Sequence, residues 1–496
     1  MKLNKFLWEN YKETENAKQI IELFKNGSSI DILNSFNTKS HQEQIDSACF
    51  IDDLCNCLVS PILPTEINCE KAEMFFEELI TTGFTLKYND EEELDVYRQD
   101  EINLLGWIEI ISTWLFFTFP DFFKPYFFKT KFQLLTQIAD AFDIEIPEVP
   151  LRRYKAERIK YYWKLCNVFL KFQDDNGMNS YEFCAFLYDF APKYISQNQN
   201  IGIELPKPTQ VWLVGGDQSG NDFNFLDNYQ EGDTSFWQGN VDTKRGDIII
   251  MYCLAPRSCI HSIWRATKDG IADPFFHFYS SFEISEGIKV EPISINELKS
   301  DEYFSKHPLV RKNLQGVSGY SFTNEDYKRI QYLLEKKGAK SCLLPQLYSP
   351  SFNSNNKLKN ERDVEIHLIE PFLKELGYSE HHWQRQLAVR MGRGERNFPD
   401  YAFLTKKEKN YEMASMLIEA KYWIKNNKEL EETFKQVYSY GLRLSAKVIV
   451  IADKDAIWIY EKINESFDRT KYIKKFWKEI EQADEFASIK RIIGCK

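Results

Sequence analysis

The segments FPDY (residues 398–401) and SMLIEAKYW (residues 415–423) decide how this chain reads. The second is an apolar β-strand pattern interrupted by Glu419 and Lys421, where unpaired charges would be costly. Period-2 alternation sends Glu419 and Lys421 to the same side of a sheet. Asp400 starts a second strand, and pairing of the two strands would bring its carboxylate alongside them. Two carboxylates and an ammonium at one cleft edge are what phosphodiester hydrolysis requires. Carboxylates are ligands that Mg²⁺ prefers. A bound metal neutralises developing charge and acidifies its water, and the lysine orients or deprotonates that water and stabilises charge.

Outward from this pair, residues 356–496 read as a compact α/β unit with a mixed central sheet. Helix ERDVEIHLIEPFLKELG leads to a strand near WQRQLAVRM and the turn MGRGERNFPD. Helix KELEETFKQVYSYGLRL and strands KVIVIAD and AIWIYE follow the ExK strand. The order PD, then ExK about 19 residues later, then QxxxY, resembles the PD-(D/E)xK nuclease superfamily. More narrowly, it is similar to the N-terminal nuclease domain of type I restriction motor subunits over residues 358–462. The resemblance implies a restriction-endonuclease-like fold and a metal held by Asp400 and Glu419. It makes Lys421 the catalytic lysine. Glu361, ten residues before Pro371 of PFLKELGY, becomes the supporting helix carboxylate, with Glu365 as the fallback one turn later. Gln436 and Tyr440 match the family's helix motif, share a helix face at i and i+4, and are expected to touch the nucleic-acid backbone. Arg390, Arg393 and Arg396 form a glycine-spaced basic run that either contacts phosphates or is a solvated loop.

Residues 208–335 change character. Runs such as VWLVGG, GDIIIMYCLA, IHSIWRAT and IKVEPIS are β-branched and aromatic, broken by turn residues, and read as a small barrel-like β domain closed by helix NEDYKRIQYLLEKKG. The succession VWLVGG, SFWQG, KRGDIIIMYC, Trp264 and HPLVRKNLQGVSGYSFTNEDY resembles the EVE domains of the PUA-like superfamily. It implies a β-barrel with an aromatic-lined pocket for a flipped, modified base, where aromatic walls replace lost stacking. Trp237, Tyr252, Trp264 and Tyr279 are the pocket candidates. Trp237 leads because it sits in a polar stretch, EGDTSFWQGN. Trp212 reads as core and Asp247 as the turn before a strand.

Residues 1–200 read as helical, with segments such as NAKQIIELFKNG, CEKAEMFFEELITTG and AERIKYYWKLCNVFLKFQ. They carry no catalytic constellation, so a scaffold, dimerisation or partner-docking domain is expected by elimination. Polar linkers fall at about 196–210 and 348–360, the latter almost free of core residues. The fold expected is therefore multidomain α+β: an N-terminal helical domain, a central EVE-like barrel and a C-terminal nuclease.

Composition agrees. The 496 residues suggest about three domains. With 43% hydrophobic and 15% aromatic residues, global disorder is excluded. A net charge of −11 argues against a generic basic nucleic-acid coat. Counting places roughly +4 from residue 351 onward and about −15 before it, so the chain is electrostatically split. The N-terminus has no apolar h-region, which points to a cytoplasmic protein. Residues 103–120 read as a buried core helix because Glu109 and Pro120 interrupt them. Ten cysteines without a CxxC pair read as reduced, mostly buried thiols rather than a zinc site.

The function expected is a Mg²⁺-dependent DNA endonuclease, with Mn²⁺ as a substitute, in a prokaryotic restriction or anti-phage system. Its substrate is double-stranded DNA carrying modified bases sensed by the EVE-like domain. Two nuclease sites are needed to cut both strands, which suggests a homodimer. No GxxxxGK[ST] occurs, so energy-dependent translocation by this chain is not expected. The competing readings are a conventional restriction endonuclease cutting unmodified DNA and a non-catalytic DNA- or RNA-binding protein.

Overall fold

Apolar residues recur at helical spacing through the first 200 residues, and they build an aromatic core. The computed structural model describes residues 3–36, 39–88, 93–99, 103–198, 204–218, 221–352, 358–390, 396–408 and 411–495. It is a mixed α/β chain with several sheets, and its contacts divide it into two units. One comprises Met1–Leu205, Thr234–Val241 and Lys268–Ile284. The other comprises Pro206–Asp233, Asp242–Thr267 and Ser285–Lys496.

In the first unit, helices including His41–Cys57, Cys69–Thr82, Ile108–Thr118 and Lys155–Asn176 pack Trp114, Phe76, Phe123 and Tyr162 into one core. The apolar run at 103–120 yields the eleven-residue helix Ile108–Thr118, almost wholly buried. No helix among the described residues is long and apolar enough to cross a membrane. The unit also holds a three-stranded sheet, Leu58–Ser60, Phe84–Leu86 and Asp95–Tyr97, where only helices were expected. Three-residue strands are too short for alternation to show in sequence.

In the second unit, Val211–Gly216 runs parallel to Ile248–Cys253 and antiparallel to Ser318–Phe322. Cys259–Ala266 is antiparallel to Ile248–Cys253. Asp247 is more than a turn residue. Its buried carboxylate accepts from the amides of Lys244 (2.8 Å) and Gln210 (3.2 Å), the Thr209 hydroxyl (3.2 Å) and the Trp212 indole (2.9 Å).

The same unit carries the C-terminal sheet, in the order Trp383–Arg385, Tyr401–Phe403, Met416–Ala420, Val448–Ala452 and Ala456–Ile463. Met416–Ala420 and Val448–Ala452 are parallel and joined by the crossover helix Asn427–Arg443. Both faces are covered, which is why these strands are continuously apolar. Ile418 and Val450 pack with Val364, Phe372, Phe486 and Ile489, while Leu417, Ile449 and Ile451 pack with Phe434 and Val437 of the crossover helix. The polar stretch at 348–360 is less empty than expected. Phe352 is buried against Phe372 and Trp477, and its amide donates to Glu481 Oε1 at 2.8 Å. The cysteines also depart from expectation. Only Cys166, Cys184, Cys253 and Cys259 are buried, although all ten are free thiols.

Candidate active site

Register places the first carboxylate. Tyr401 pairs with Ile418 and Ala402 with Leu417 in antiparallel sense, so Asp400 stands opposite Glu419. Asp400 Oδ2 accepts from the backbone amide of Ala420 at 2.8 Å, which fastens it between the two residues it was expected to meet. Glu419 is 2% exposed. Its Oε1 accepts from Lys421 Nζ at 2.8 Å and from Gln436 Nε2 at 2.7 Å, while its Oε2 is buried without a hydrogen-bond partner. Lys421 lies just past the strand end, and its ammonium also donates to Ala420 O at 2.9 Å and stands 3.9 Å from Glu361 Oε2.

Glu361 opens the helix that leads into the domain, with Asn360 capping its first turn through the amide of Asp363. Glu365 follows one turn later, where a π turn runs over Glu365–Ile369 before Pro371. Such turns recur at functional sites. Ligand oxygens of Glu361, Glu365 and Asp400 lie within 4.8 Å of one another. Of the expected Asp400–Glu419 metal pair this trio keeps Asp400 and leaves out Glu419, taking in Glu361 and Glu365 instead, whose i, i+4 spacing is the sequence feature that carried them. Glu365 is not a free ligand. Arg362 Nη1 donates to it at 2.5 Å and Arg385 donates from the edge strand. Arg385 also donates to Glu370 Oε1 at 2.9 Å.

The electrostatics follow from crowding acids in a half-buried place. Burial, then the neighbouring Asp400, pushes the Glu419 carboxyl up to about 7. Burial also raises Asp400, against the pull of the Ala420 amide and Lys421. Glu361 is raised by burial, opposed by Lys421. Burial pulls the Lys421 ammonium down, but Glu419, Glu361 and Asp400 outweigh it, and the net shift is upward. An all-oxygen donor set with one orphaned buried carboxylate oxygen fits a hard divalent cation.

Gln436 and Tyr440 were expected at the nucleic-acid backbone. Tyr440 is buried, whereas Gln436 stays exposed. The Gln436 amide is taken by Glu419 and reaches the Tyr440 hydroxyl at 3.3 Å, and Tyr440 is 4% exposed in the crossover-helix core. A buried acid needs donors, and Gln436 on the facing helix supplies one beside Lys421. Of the basic run, Arg390 and Arg396 lie on paired short strands, Val389–Arg390 and Arg396–Asn397, and Arg393 lies outside the described residues.

The base-pocket candidates separate. Tyr252 packs with Ile248, Ile250 and Ile263 on one face of its sheet. Trp264 pairs with Ile249 and so faces the other side, a consequence of period-2 alternation. The two therefore do not line one pocket. Trp264 stacks on Phe225 (centroids 5.5 Å) and meets Tyr229 edge-on (4.5 Å), and its indole donates to Ser262 Oγ at 2.7 Å. Tyr229, Arg265 and Gly287 line an adjoining cleft of about 680 Å³. A Cβ on Gly287 would strike the Trp264 ring, so glycine permits this close approach. Trp237 is in the strand Ser235–Gln238, paired with Phe282 and 4% exposed, not in a polar loop. The polar residues flanking it are turns, which masked the strand. Tyr279 sits at φ +74°, with its hydroxyl donating to Pro150 O at 2.8 Å and the Arg158 guanidinium 5.3 Å above its ring. Those partners give Tyr279 a structural role in the first unit.

No protein-family profile and no curated protein matches the chain. Solved structures similar to part of it include an NMR structure of a Rhodopseudomonas palustris protein (19% identity, 26% of this chain and 92% of that one, TM-score 0.22). A hypothetical protein from Leishmania major shares 14% identity over 26% of this chain and 97% of its own, with TM-score 0.22. A Pseudomonas putida protein shares 18% identity over 25% of this chain and 98% of its own, also with TM-score 0.22. At that score the likeness carries no argument about fold or function.

Proposed function

We propose that the chain is a divalent-metal-dependent DNA endonuclease of a prokaryotic restriction or anti-phage system, with a restriction-endonuclease-like C-terminal domain and an EVE-like central domain that senses a modified base. The observation that carries this reading is the meeting of Asp400, Glu419, Lys421 and Glu361 at one end of the paired strands Tyr401–Phe403 and Met416–Ala420, with Asp400 held by the Ala420 amide. Asp400 and Glu419, supported by Glu361, would hold Mg²⁺ or Mn²⁺, which when bound neutralises charge on the phosphate and acidifies its water. Lys421 serves as a cation rather than a base, because three carboxylates keep its ammonium protonated. It stabilises charge on the scissile phosphate and orients the attacking water. Gln436 orients Glu419 through its amide. The base would be sensed at the cleft lined by Tyr229, which meets the buried Trp264 edge-on.

The test is digestion of phage genomes with unmodified, methylated and hydroxymethylated cytosine, with Mg²⁺ and with EDTA. Cleavage should need the metal, favour one modified genome and vanish in Asp400→Ala. Equal cutting of unmodified DNA would remove the sensing role but leave the nuclease. Cleavage that survives Asp400→Ala would remove the site.

A further inference from the structure

The first unit contains a cleft that the nuclease reading does not use. It has a volume of about 680 Å³, and its lining includes Lys129, Arg152, Lys155, Arg158 and His277. Among the described residues that line it, none is a carboxylate. This is unexpected in a region of the sequence that carries excess acid.

The positive charge there is built in, not scattered. Arg158 is 3% exposed, and its guanidinium is satisfied by neutral carbonyls only. Nε donates to Pro274 O at 2.7 Å and Nη2 to Phe276 O at 2.9 Å. Lys129 likewise donates to a carbonyl, Gly106 O, at 3.0 Å. The nearby acids are engaged elsewhere. Asp273 accepts from the amides of Thr130 and Phe275, each at 2.9 Å, and from that of Phe276, while Glu109 stands 3.6 Å from Lys39. Burial, opposed by the acids, lowers both Lys129 and Arg158, and Arg152 adds like-charge repulsion to Arg158. Arg152 and Lys155 form no ion pair among the described residues. Lys155 also begins the 22-residue helix Lys155–Asn176, whose N-terminus has no side-chain cap. Its first-turn amides and dipole add to the positive field at the lining residues Lys155, Ala156 and Arg158.

Cations crowded round a cavity whose described lining holds no carboxylate favour a bound anion. We propose that this cleft is a binding site for a phosphate monoester of nucleotide size, held by Arg152, Lys155 and Lys129 at the start of the Lys155–Asn176 helix. A free mononucleotide and the 5′-phosphorylated end of a short nucleic acid offer the same chemistry. The cavity volume suits either.

Calorimetric titration of the full chain tests this, using Asp400→Ala protein in EDTA so that the candidate nuclease centre does not contribute. The probes are AMP against adenosine, and a 5′-phosphorylated tetranucleotide against its 5′-hydroxyl form. The phosphorylated member of at least one pair should bind roughly tenfold or more tighter, and weaken as salt rises. The pair that shows the difference identifies the source. Arg152→Glu with Lys155→Glu should remove the difference, and both side chains are solvent-exposed, so the fold should be kept. If circular dichroism shows loss of structure, Lys155→Gln alone serves and should weaken binding several-fold. Equal binding of phosphorylated and dephosphorylated probes, or binding unchanged in the folded variants, would overturn the proposal. Neither result bears on cleavage by the C-terminal domain.

Discussion

Glu419 carries the sharpest single-residue consequence. Its carboxyl is raised to about 7, first by burial and then by Asp400. Its ordinary value is 4.5. A group raised on folding favours the folded chain while it is protonated. That contribution is full below 4.5 and is lost as pH rises through about 7. The metal-free protein should therefore lose stability across this window, and a cation that needs the ionised carboxylate should displace the proton. Calorimetry of Mn²⁺ binding at pH 6 in buffers of different ionisation enthalpy should show proton release in wild type and clearly less in Glu419→Gln. Equal release in both would place the titrating group elsewhere. Gln436 acts through Glu419. Gln436→Leu removes the donor at 2.7 Å and should cost ~10–100-fold in metal affinity or turnover, as loss of an orienting partner typically does. Gln436→Glu, which brings a second acid to the same oxygen, should be worse than Leu. A loss confined to DNA affinity would return Gln436 to a backbone-contacting role.

At the scale of elements, the crossover helix must lie close to the sheet for Gln436 to reach Glu419. Gly441 permits that approach. A Cβ there would sit 2.8 Å from Ile449 Cγ2 and 3.0 Å from the Phe467 ring. Gly441→Val should therefore destabilise by about 1–3 kcal/mol through overpacking, read as a lower urea midpoint at unchanged m-value. An unchanged midpoint would mean that the helix has room to move. In the other sheet of this unit, Asp247 ties the first strand to the second through Trp212, Thr209 and two backbone amides. Asp247→Ala leaves these donors buried and unpaired. A loss of roughly 3 kcal/mol is expected from thermal or chemical unfolding, with the secondary-structure spectrum kept. These two positions show how unevenly the elements were legible. Periodicity marked the helices and the apolar strands, including Met416–Ala420 and Val448–Ala452. It missed the strands at 58–60, 84–86 and 95–97, because three residues hold no pattern. It missed the strand under Trp237, because polar turns crowd both its ends.

At the scale of the whole molecule, a ligand that binds only the folded chain stabilises it by mass action. Mn²⁺ at a hundred times its dissociation constant should add about 2.7 kcal/mol, seen as a rise in melting temperature that EDTA reverses. Glu419→Gln and Asp400→Ala should each abolish most of the rise. A rise retained in both variants would show that the metal binds outside the carboxylate cluster.

By itself, the amino-acid sequence determined that Glu419 stands in an apolar strand with Lys421 just beyond it, and which helix spacing puts Glu361 and Glu365 on one face. These follow from local geometry, two residues per strand repeat and nearly four per helical turn, and need no knowledge of neighbours. Tertiary structure alone decided which partner each charge received. Strand register set Asp400 against the Ala420 amide. Helix docking brought the Gln436 amide to Glu419, and an edge strand supplied Arg385 to Glu365. Such pairings join residues up to 20 positions apart in chain order. They depend on burial, which local sequence does not encode.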